Sequence, residues 1–389
     1  MEDRQLVCLQ VHNDYQILGG ETKSAHLIAD LLERNGIRVI RYYKTNMEYA
    51  GESSIIQKLR NGFHAINNPD TTKEIEGILE QNHVDFALVH NVVSVISNAA
   101  YKVLIKKDIP IIKYLQNYNL VCLNGALDHE KKCEQCQSNN LIGVKCKCYK
   151  NSIVYSFIKF LIKRDMDKHV LQHISAFMPN SEFVMKEHVR WGIDSGKMHV
   201  MYNYVDIPLT QFNGSRDYYL YFGRLTGEKG VMTAIRAFEK MPEKELIIMG
   251  SGTLEEEIKH ISDKNSNIEF IGNRQGLELI EIIAKAKAVI VPSEWDEPLP
   301  RTILEAYSQG TPVIGSNRGG IPELIDNGVT GYVFKAGDNQ DLYEKVKHFD
   351  KIAPEDYSEM RNACLKTLSE KYTEKAYFQR FMTCIREIV

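Results

Sequence analysis

Residues 218–231 read Tyr218-Tyr219-Leu220-Tyr221-Phe222-Gly223-Arg224-Leu225-Thr226-Gly227-Glu228-Lys229-Gly230-Val231. An apolar run of strand length enters a loop with three glycines and two cations, and a helical pattern opens at Val231. A strand feeding a helix through such a loop is the repeating unit of a parallel sheet covered by helices. Working outward, the same unit recurs. Downstream strands are expected at Leu246 to Met249, Ile268 to Ile271, Ala288 to Val291 and Pro312 to Ile314, each followed by a helical pattern. Upstream they are expected at Leu6 to Val11, Ile37 to Tyr42, Val84 to Val89, Ile109 to Tyr114 and Ala176 to Met178, with helices over 21–35, 73–82, 95–107 and 181–191. The chain therefore reads as α/β, with two doubly wound units.

The stretch Asn203 to Ser215 has turn formers and little periodicity, which places the boundary there. The expected domains are 1–206 and 207–370, with the last helix, 371–389, crossing back to the first. A cleft between the halves is expected, lined by the loops that follow the strands.

Composition narrows the class. The chain has 389 residues, 43% hydrophobic and 25% charged, which fits a globular protein and excludes disorder or collagen-like repeats. Lys and Arg (48) nearly balance Asp and Glu (51), so no global field draws a polyanion, and nucleic acid is not an expected partner. The first residues lack a basic, then apolar leader, and no run of about 18 apolar residues occurs. The expected location is cytoplasmic. Eight cysteines are too few for a secreted disulfide framework, and four crowd between Cys133 and Cys148, which suggests metal rather than disulfides.

Three loops of the second half suit an anionic, hydroxylated ligand. In the first, glycines let the backbone approach, and Arg224 and Lys229 neutralise a diphosphate near a helix N-terminus. The second, Ser293-Glu294-Trp295-Asp296-Glu297-Pro298-Leu299-Pro300-Arg301, follows another strand. Its prolines fit a helix entry, with Glu297 at the mouth and Glu305 about two turns in. Carboxylates accept paired hydrogen bonds from vicinal hydroxyls, as a ribose and a sugar present. The third, Gly315 to Glu323, is again a glycine loop opening a helix. In the first half Gly19-Gly20-Glu21 opens a helix that could face the same phosphates. Taken singly, each string also fits an ordinary turn or a first-turn acid complementing the helix dipole.

Assembled, these residues resemble family 4 glycosyltransferases of the GT-B architecture, two Rossmann-like domains facing each other across a cleft. The matching strings include 19–21, 90–91, 117–125, 133–136, 148–152, 179–183, 223–230 and 293–334, with two glutamates separated by seven residues at Glu297 and Glu305. The resemblance implies a retaining sugar transfer from a nucleotide-diphosphate sugar, UDP-linked by expectation, to a glycan or lipid-linked glycan in envelope polysaccharide synthesis. It implies that Arg224 and Lys229 hold the diphosphate, Glu305 the ribose and Glu297 the donor sugar. Gly20, with Gly19, would reach the phosphate. Gly223, Gly250, Gly252, Asn273, Arg274, Leu299, Pro300 and Arg301 would complete the donor site. On the acceptor side it implies His90, Asn91, Gln116, Asn117 and Tyr118. His90 at a strand end could orient or deprotonate an acceptor hydroxyl, although such a histidine is as often structural. Gln116 stands where relatives carry a histidine, and it cannot titrate near neutrality. No catalytic metal is implied.

A Cys-rich insertion spans about 122–148. Two close pairs of thiols suit tetrahedral zinc, and the resemblance selects Cys122, Cys133, Cys136 and Cys148 as a structural site, leaving Cys146 over. Reduced thiols and a disulfide stay open. Asp165-Met166-Asp167 lies in a basic helical pattern and is not read as a metal site. That segment, from Ile153 on, could rest on an anionic bilayer at the inner face of the plasma membrane, but a core-facing helix with solvated lysines is the preferred reading. Alternatives to transfer are a nucleotide-sugar epimerase or phosphorylase-like enzyme of the same fold, or a non-catalytic nucleotide-sugar-binding partner of another transferase. No residue resembles the pyridoxal phosphate lysine a phosphorylase needs.

Overall fold

The computed structural model describes residues 4–14, 20–45, 62, 64–93, 95–129, 131–207, 212 and 214–389. Contacts divide the chain into two units, Met1–Met201 with Phe378–Val389, and Tyr202–Tyr377.

In the first unit β1 (Val7–Asp14), β2 (Arg38–Thr45), β3 (Phe86–Val89), β4 (Ile111–Leu115) and, after a two-residue ladder of β5 (Asp128–His129) with β6 (Lys131–Lys132), β7 (Ala176–Pro179) appear in chain order. The main sheet is parallel throughout, in the order β2-β1-β3-β4-β7. Helices Gly20–Arg34, Pro69–Gln81 and Ala99–Lys106 connect successive strands. Parallel strands covered on both faces need apolar side chains on both, and all four residues of β3 and of β7 are buried. Local signals set the helix starts: Asn68 accepts from the Asp70 amide ahead of Pro69, and Ser181 accepts from the Val184 amide.

The second unit contains β8 (Tyr218–Arg224), β9 (Leu246–Ser251), β10 (Ile268–Phe270), β11 (Ala286–Val291), β12 (Val313–Ser316) and β13 (Gly331–Phe334), again all parallel, in the order β10-β9-β8-β11-β12-β13. Alternate residues of β8 feed two cores. Tyr219 and Tyr221 join Phe238, Ile248 and Ile290 on one face, while Leu220 and Phe222 join Val289, Ile303 and Tyr307 on the other. In both sheets the strand order reverses once, between β1 and β3 and between β8 and β11. Such reversal points open a crevice at the strands' carboxyl ends.

The ten strands expected from the sequence all form, within a few residues of their expected bounds. The reading lacked β13, four residues long and beginning with glycine, too short to show a period. Main-chain bonds explain where the units part. Met201 donates to the Pro179 carbonyl at 2.8 Å and accepts from the Tyr114 hydroxyl at 3.2 Å, both within the first unit. Three residues on, the Tyr204 carbonyl accepts from Arg301 of the second at 3.1 Å. The helix Glu374–Ile388 ends within the first unit, where the rings of Phe381 and Phe86 lie 6.0 Å apart.

One expectation is overturned. The first turns of the helix Ile153–His169 do not turn their apolar side chains inward with the lysines in solvent, although farther along Met166 is buried and Arg164 and Lys168 are exposed. Ser156 and Lys159 are buried, whereas Ile153, Val154, Tyr155 and Phe157 are exposed. Polar anchors fix the inward face: Lys159 donates to Asn119 at 3.1 Å, Lys163 to the Leu120 carbonyl at 3.1 Å, and the Tyr149 amide to Ser156 at 2.9 Å.

Candidate active site

At the β8/β11 reversal two loops meet. Lys229 ends the loop after β8, and Glu297 lies in the loop after β11. Their side chains form an ion pair, with Lys229 19% and Glu297 7% exposed. Ser293 donates to the same Glu297 oxygen at 2.7 Å. Burial pushes the Glu297 carboxyl up, but the Lys229 ammonium and the hydrogen bonds from Lys229 and Ser293 outweigh it and hold the group below its usual value. Glu297 is thus ionised at neutral pH although buried. The ammonium also lies 5.4 Å from the centre of the Trp295 ring.

Backbone geometry keeps these loops close. Gly230 has φ of 68° and caps the helix Val231–Phe238, and a Cβ there would sit 1.9 Å from the Pro292 carbonyl oxygen. Gly319, with φ of 57°, faces Glu297 from the loop after β12, where a Cβ would meet the Glu297 carbonyl oxygen at 2.1 Å. The Gly320 amide donates to that oxygen at 2.7 Å. Three strand-end loops therefore converge on Glu297. The β8 and β11 loops are also tied by the Glu294 amide, which donates to the Glu228 carbonyl at 2.9 Å, and by Thr233, which donates to the Glu294 carboxylate at 2.6 Å.

The remaining donor candidates fall around this centre unequally. Arg224 ends β8 with its side chain 61% exposed and its guanidinium 3.5 Å from Glu228. Gly223 pairs in register with Gly250 of β9, and Gly252 follows one residue after that strand. Pro300 caps the helix Arg301–Ser308, within which Glu305 is 9% exposed. Leu299 packs its side chain in the apolar core. Arg301 holds the Tyr204 carbonyl. Asn273 and Arg274 lie beyond β10, where Arg274 pairs with Glu278 at 2.7 Å. Gly20 opens the helix Gly20–Arg34, while Gly19 lies outside the described residues.

The same edge of the first sheet is built differently. His90 follows β3 and is fully buried. Gln10 donates through its amide nitrogen to the Ala25 carbonyl at 2.9 Å, and its amide oxygen accepts from Tyr43 at 2.7 Å. That orientation makes Gln10 the donor to His90 Nε2 at 2.8 Å, which assigns the imidazole proton to Nδ1. The ring's lone pair is therefore engaged, and burial, with Coulombic opposition from His12, Lys113 and His26, holds its pKa well below the ordinary value. With the proton on Nδ1, which has no hydrogen-bond partner among the described residues, the acceptor-deprotonating role expected for His90 has no free lone pair to carry it. His12, also fully buried, lies edge-on to His90 with ring centres 5.7 Å apart, and burial takes its pKa down to about 3.

Asn91 is 4% exposed, accepts from the Val93 amide at 3.1 Å and so shapes its own loop. Tyr118 is fully buried and stacks on His188, which removes it from the surface an acceptor could touch. Asn117 donates to both oxygens of Glu21, at 3.1 and 2.9 Å. Gln116 follows β4 and is half-buried. A small cleft, partly open to solvent, is lined by Asn91, Asn117, Lys113 and Lys159 and by apolar residues such as Leu120 and Ile162. Lys113 was not singled out from the sequence. The signal for Lys113 was a lone cation inside an otherwise apolar strand.

All eight cysteines are free. Cys122 donates to Asn124 at 2.8 Å, and burial together with the neighbouring Cys136, Cys146, Cys122 and Cys133 pushes the Cys148 thiol up to about 12. Among the described residues no three Cys, His, Asp or Glu side chains are arranged to hold a metal ion. Asp165 is occupied by Lys102 and Asn98, and Asp167 by Lys163.

Comparison with known proteins places these features. The chain is 28% identical over 206 residues to the sulfoquinovosyl transferase SQD2 of Arabidopsis thaliana, covering 49% of this chain and 40% of that protein. It is 37% identical over 119 residues to the glycogen synthase of Mycobacterium tuberculosis, covering 29% and 28% of the two chains. It thus spans less than half the length of either curated relative. In structure it resembles Anabaena HepE, solved in complex with UDP-glucose, at 17% identity and a TM-score of 0.68, over 98% of this chain and 100% of that one. This is the GT-B fold, built from two parallel sheets with alternating helices. Residues 207–366 match the family described as Glycosyl transferases group 1. That span carries Lys229, Glu297 and Glu305, so the second unit's site lies within the part of the chain that matches this family.

Proposed function

We propose that the chain is a retaining glycosyltransferase that moves a sugar from a UDP-linked donor to a hydroxyl of a glycan or lipid-linked glycan in polysaccharide synthesis. The observation that carries this reading is the Lys229–Glu297 pair at the β8/β11 reversal, where a cation and an ionised, buried acid meet glycine-rich loops. Lys229, with Arg224, neutralises the diphosphate. Glu297 accepts from donor-sugar hydroxyls, and Glu305 accepts from the ribose. The complex of the Anabaena neighbour with UDP-glucose supports the uridine donor.

In the reaction the bond from the anomeric carbon to the β-phosphate oxygen breaks, and a bond to the acceptor oxygen forms on the same face. The acceptor's proton passes to the departing diphosphate, so no protein base is required, in keeping with the engaged Nε2 lone pair of His90. Negative charge grows on the leaving phosphate, and a fixed cation stabilises that change more than it stabilises the ground state.

The test is turnover of a panel of UDP- and GDP-sugars with and without glycan acceptors, read as nucleotide release, with the product anomer assigned by NMR. The expected outcome is acceptor-dependent UDP release with retained configuration. Donor conversion without acceptor would instead support an epimerase, and binding without turnover a regulatory partner.

A further inference from the structure

The first turns of the helix Ile153–His169 present apolar residues to solvent. Leu141 is 42%, Ile153 56%, Val154 66%, Tyr155 45% and Phe157 45% exposed, and these are five of the nine large apolar side chains exposed among the described residues. The other four are scattered singly, which is ordinary for a protein surface. This group is local. It spans the first turns of the helix and the short helix Leu141–Lys145 packed against it.

Charge on the same segment has one sign. Residues 135–164 contain Lys145, Lys147, Lys150, Lys159, Lys163 and Arg164 and no Asp or Glu, within a chain whose formal net charge is −3. Lys145, Lys147 and Lys150 are exposed, and the Lys150 ammonium lies 5.3 Å from the centre of the Tyr155 ring. Farther along, Val154, Phe157, Leu161, Arg164 and Lys168 follow one another at helical spacing, so a single stripe passes from apolar to cationic. The polar anchors Ser156, Lys159 and Lys163 hold the opposite face inward, and the exposure of this stripe is therefore built into the packing.

We propose that this surface, Leu141, Ile153, Val154, Tyr155 and Phe157 with Lys145, Lys147 and Lys150, docks the first unit on an anionic lipid bilayer. Apolar side chains enter the interface, and the lysines neutralise headgroup charge beside them. A second copy of the chain fits less well, because a two-fold pairing through this face would oppose the same cations. No helix among the described residues is long and apolar enough to cross a membrane, so the contact is peripheral. The inference stands apart from the donor site, which lies in the other unit.

The test is co-sedimentation of the purified full chain with phosphatidylcholine vesicles, with and without phosphatidylglycerol. The chain is expected to pellet with the anionic vesicles and to be released by salt. The double variant V154S/F157S should partition at least about tenfold more weakly. The triple variant K145Q/K147Q/K150Q should lose about fivefold per lysine and much of its salt dependence. UDP affinity should match wild type in both, which verifies the fold. Wild-type protein remaining in the supernatant with anionic vesicles, or equal partitioning of wild type and V154S/F157S, would overturn the proposal. So would a concentration-dependent dimer, formed without vesicles and abolished by V154S/F157S, which would assign the face to a second copy. Failure of wild type to bind UDP would break the donor reading and leave the vesicle result standing.

Discussion

The two sheets reverse strand order in the same way, yet they treat polar residues at the reversal in opposite ways. In the second unit the β8 and β11 loops bring a cation against an acid, and pairing keeps the buried acid ionised at the mouth of the site. In the first, β1 and β3 bring His12 and His90 together behind Gln10 and Tyr43, where burial keeps both imidazoles neutral. One edge is charged. The other is neutral and closed, with its lysines withdrawn into a cleft. A shared topology thus fixes where polar residues gather, and the local partners decide whether they stay ionised.

Acid should separate the units most strongly. His12 and His188 have pKa values lowered by burial from 6.5 to about 3 and about 4, and His90 is lowered too. Below pH 6.5 the unfolded chain takes up protons that the folded chain refuses. Stability from these groups is therefore complete above 6.5 and lost as pH falls towards their folded values, by about 1.4 kcal/mol per pH unit for each histidine. Glu297, already lowered from 4.5, releases its contribution only in more acid solution. The chain has two tryptophans, Trp191 in the first unit and Trp295 in the second. Trp191→Phe and Trp295→Phe variants let each unit be followed by fluorescence, and the Trp191 signal is expected to change at the higher pH. Coincident transitions would break the contrast.

Replacing Lys229 by Ala should lower turnover about 10²- to 10³-fold, in steady-state kinetics on the active donor. Near-wild-type turnover would remove the diphosphate assignment. Gly230→Ala should cost at least about 1–3 kcal/mol from its positive φ alone, and more from the contact with the Pro292 carbonyl, as read by chemical denaturation. A stability equal to wild type would show that the β8 loop has freedom this geometry denies it. The smallest of these effects is expected at Glu305. Ala there should weaken UDP binding by about tenfold, the worth of one charged hydrogen bond, by calorimetry. An unchanged affinity would mean the ribose lies elsewhere.

The fold was readable because five apolar residues from Tyr218 to Phe222, and their counterparts, stand between clear turn signals. Lys229 and Glu297 were readable as single residues in glycine-rich and proline-rich strings. Their contact was not, because it joins positions 68 residues apart and depends on β8 and β11 being neighbours. His90 shows the converse. A histidine at a strand end looks available, but its closure comes from Gln10 on β1 and Tyr43 on β2, which no local pattern announces. The helix Ile153–His169 was misjudged for a related reason. Its amphipathic pattern was visible, but the face turned inward was set by Asn119, Leu120 and Tyr149 outside it. Periodicity specifies that a helix has two faces, and only its neighbours specify which is inside.

The central claim is that Lys229, held by Glu297 at the β8/β11 reversal, grips the diphosphate of a nucleotide sugar. Isothermal titration of UDP into wild type and Lys229→Ala tests it most directly. Wild type should bind, and the variant should bind at least about tenfold more weakly, as expected for the loss of a charge-assisted contact. Equal affinity in the two proteins, or no binding of UDP to wild type, would contradict the account.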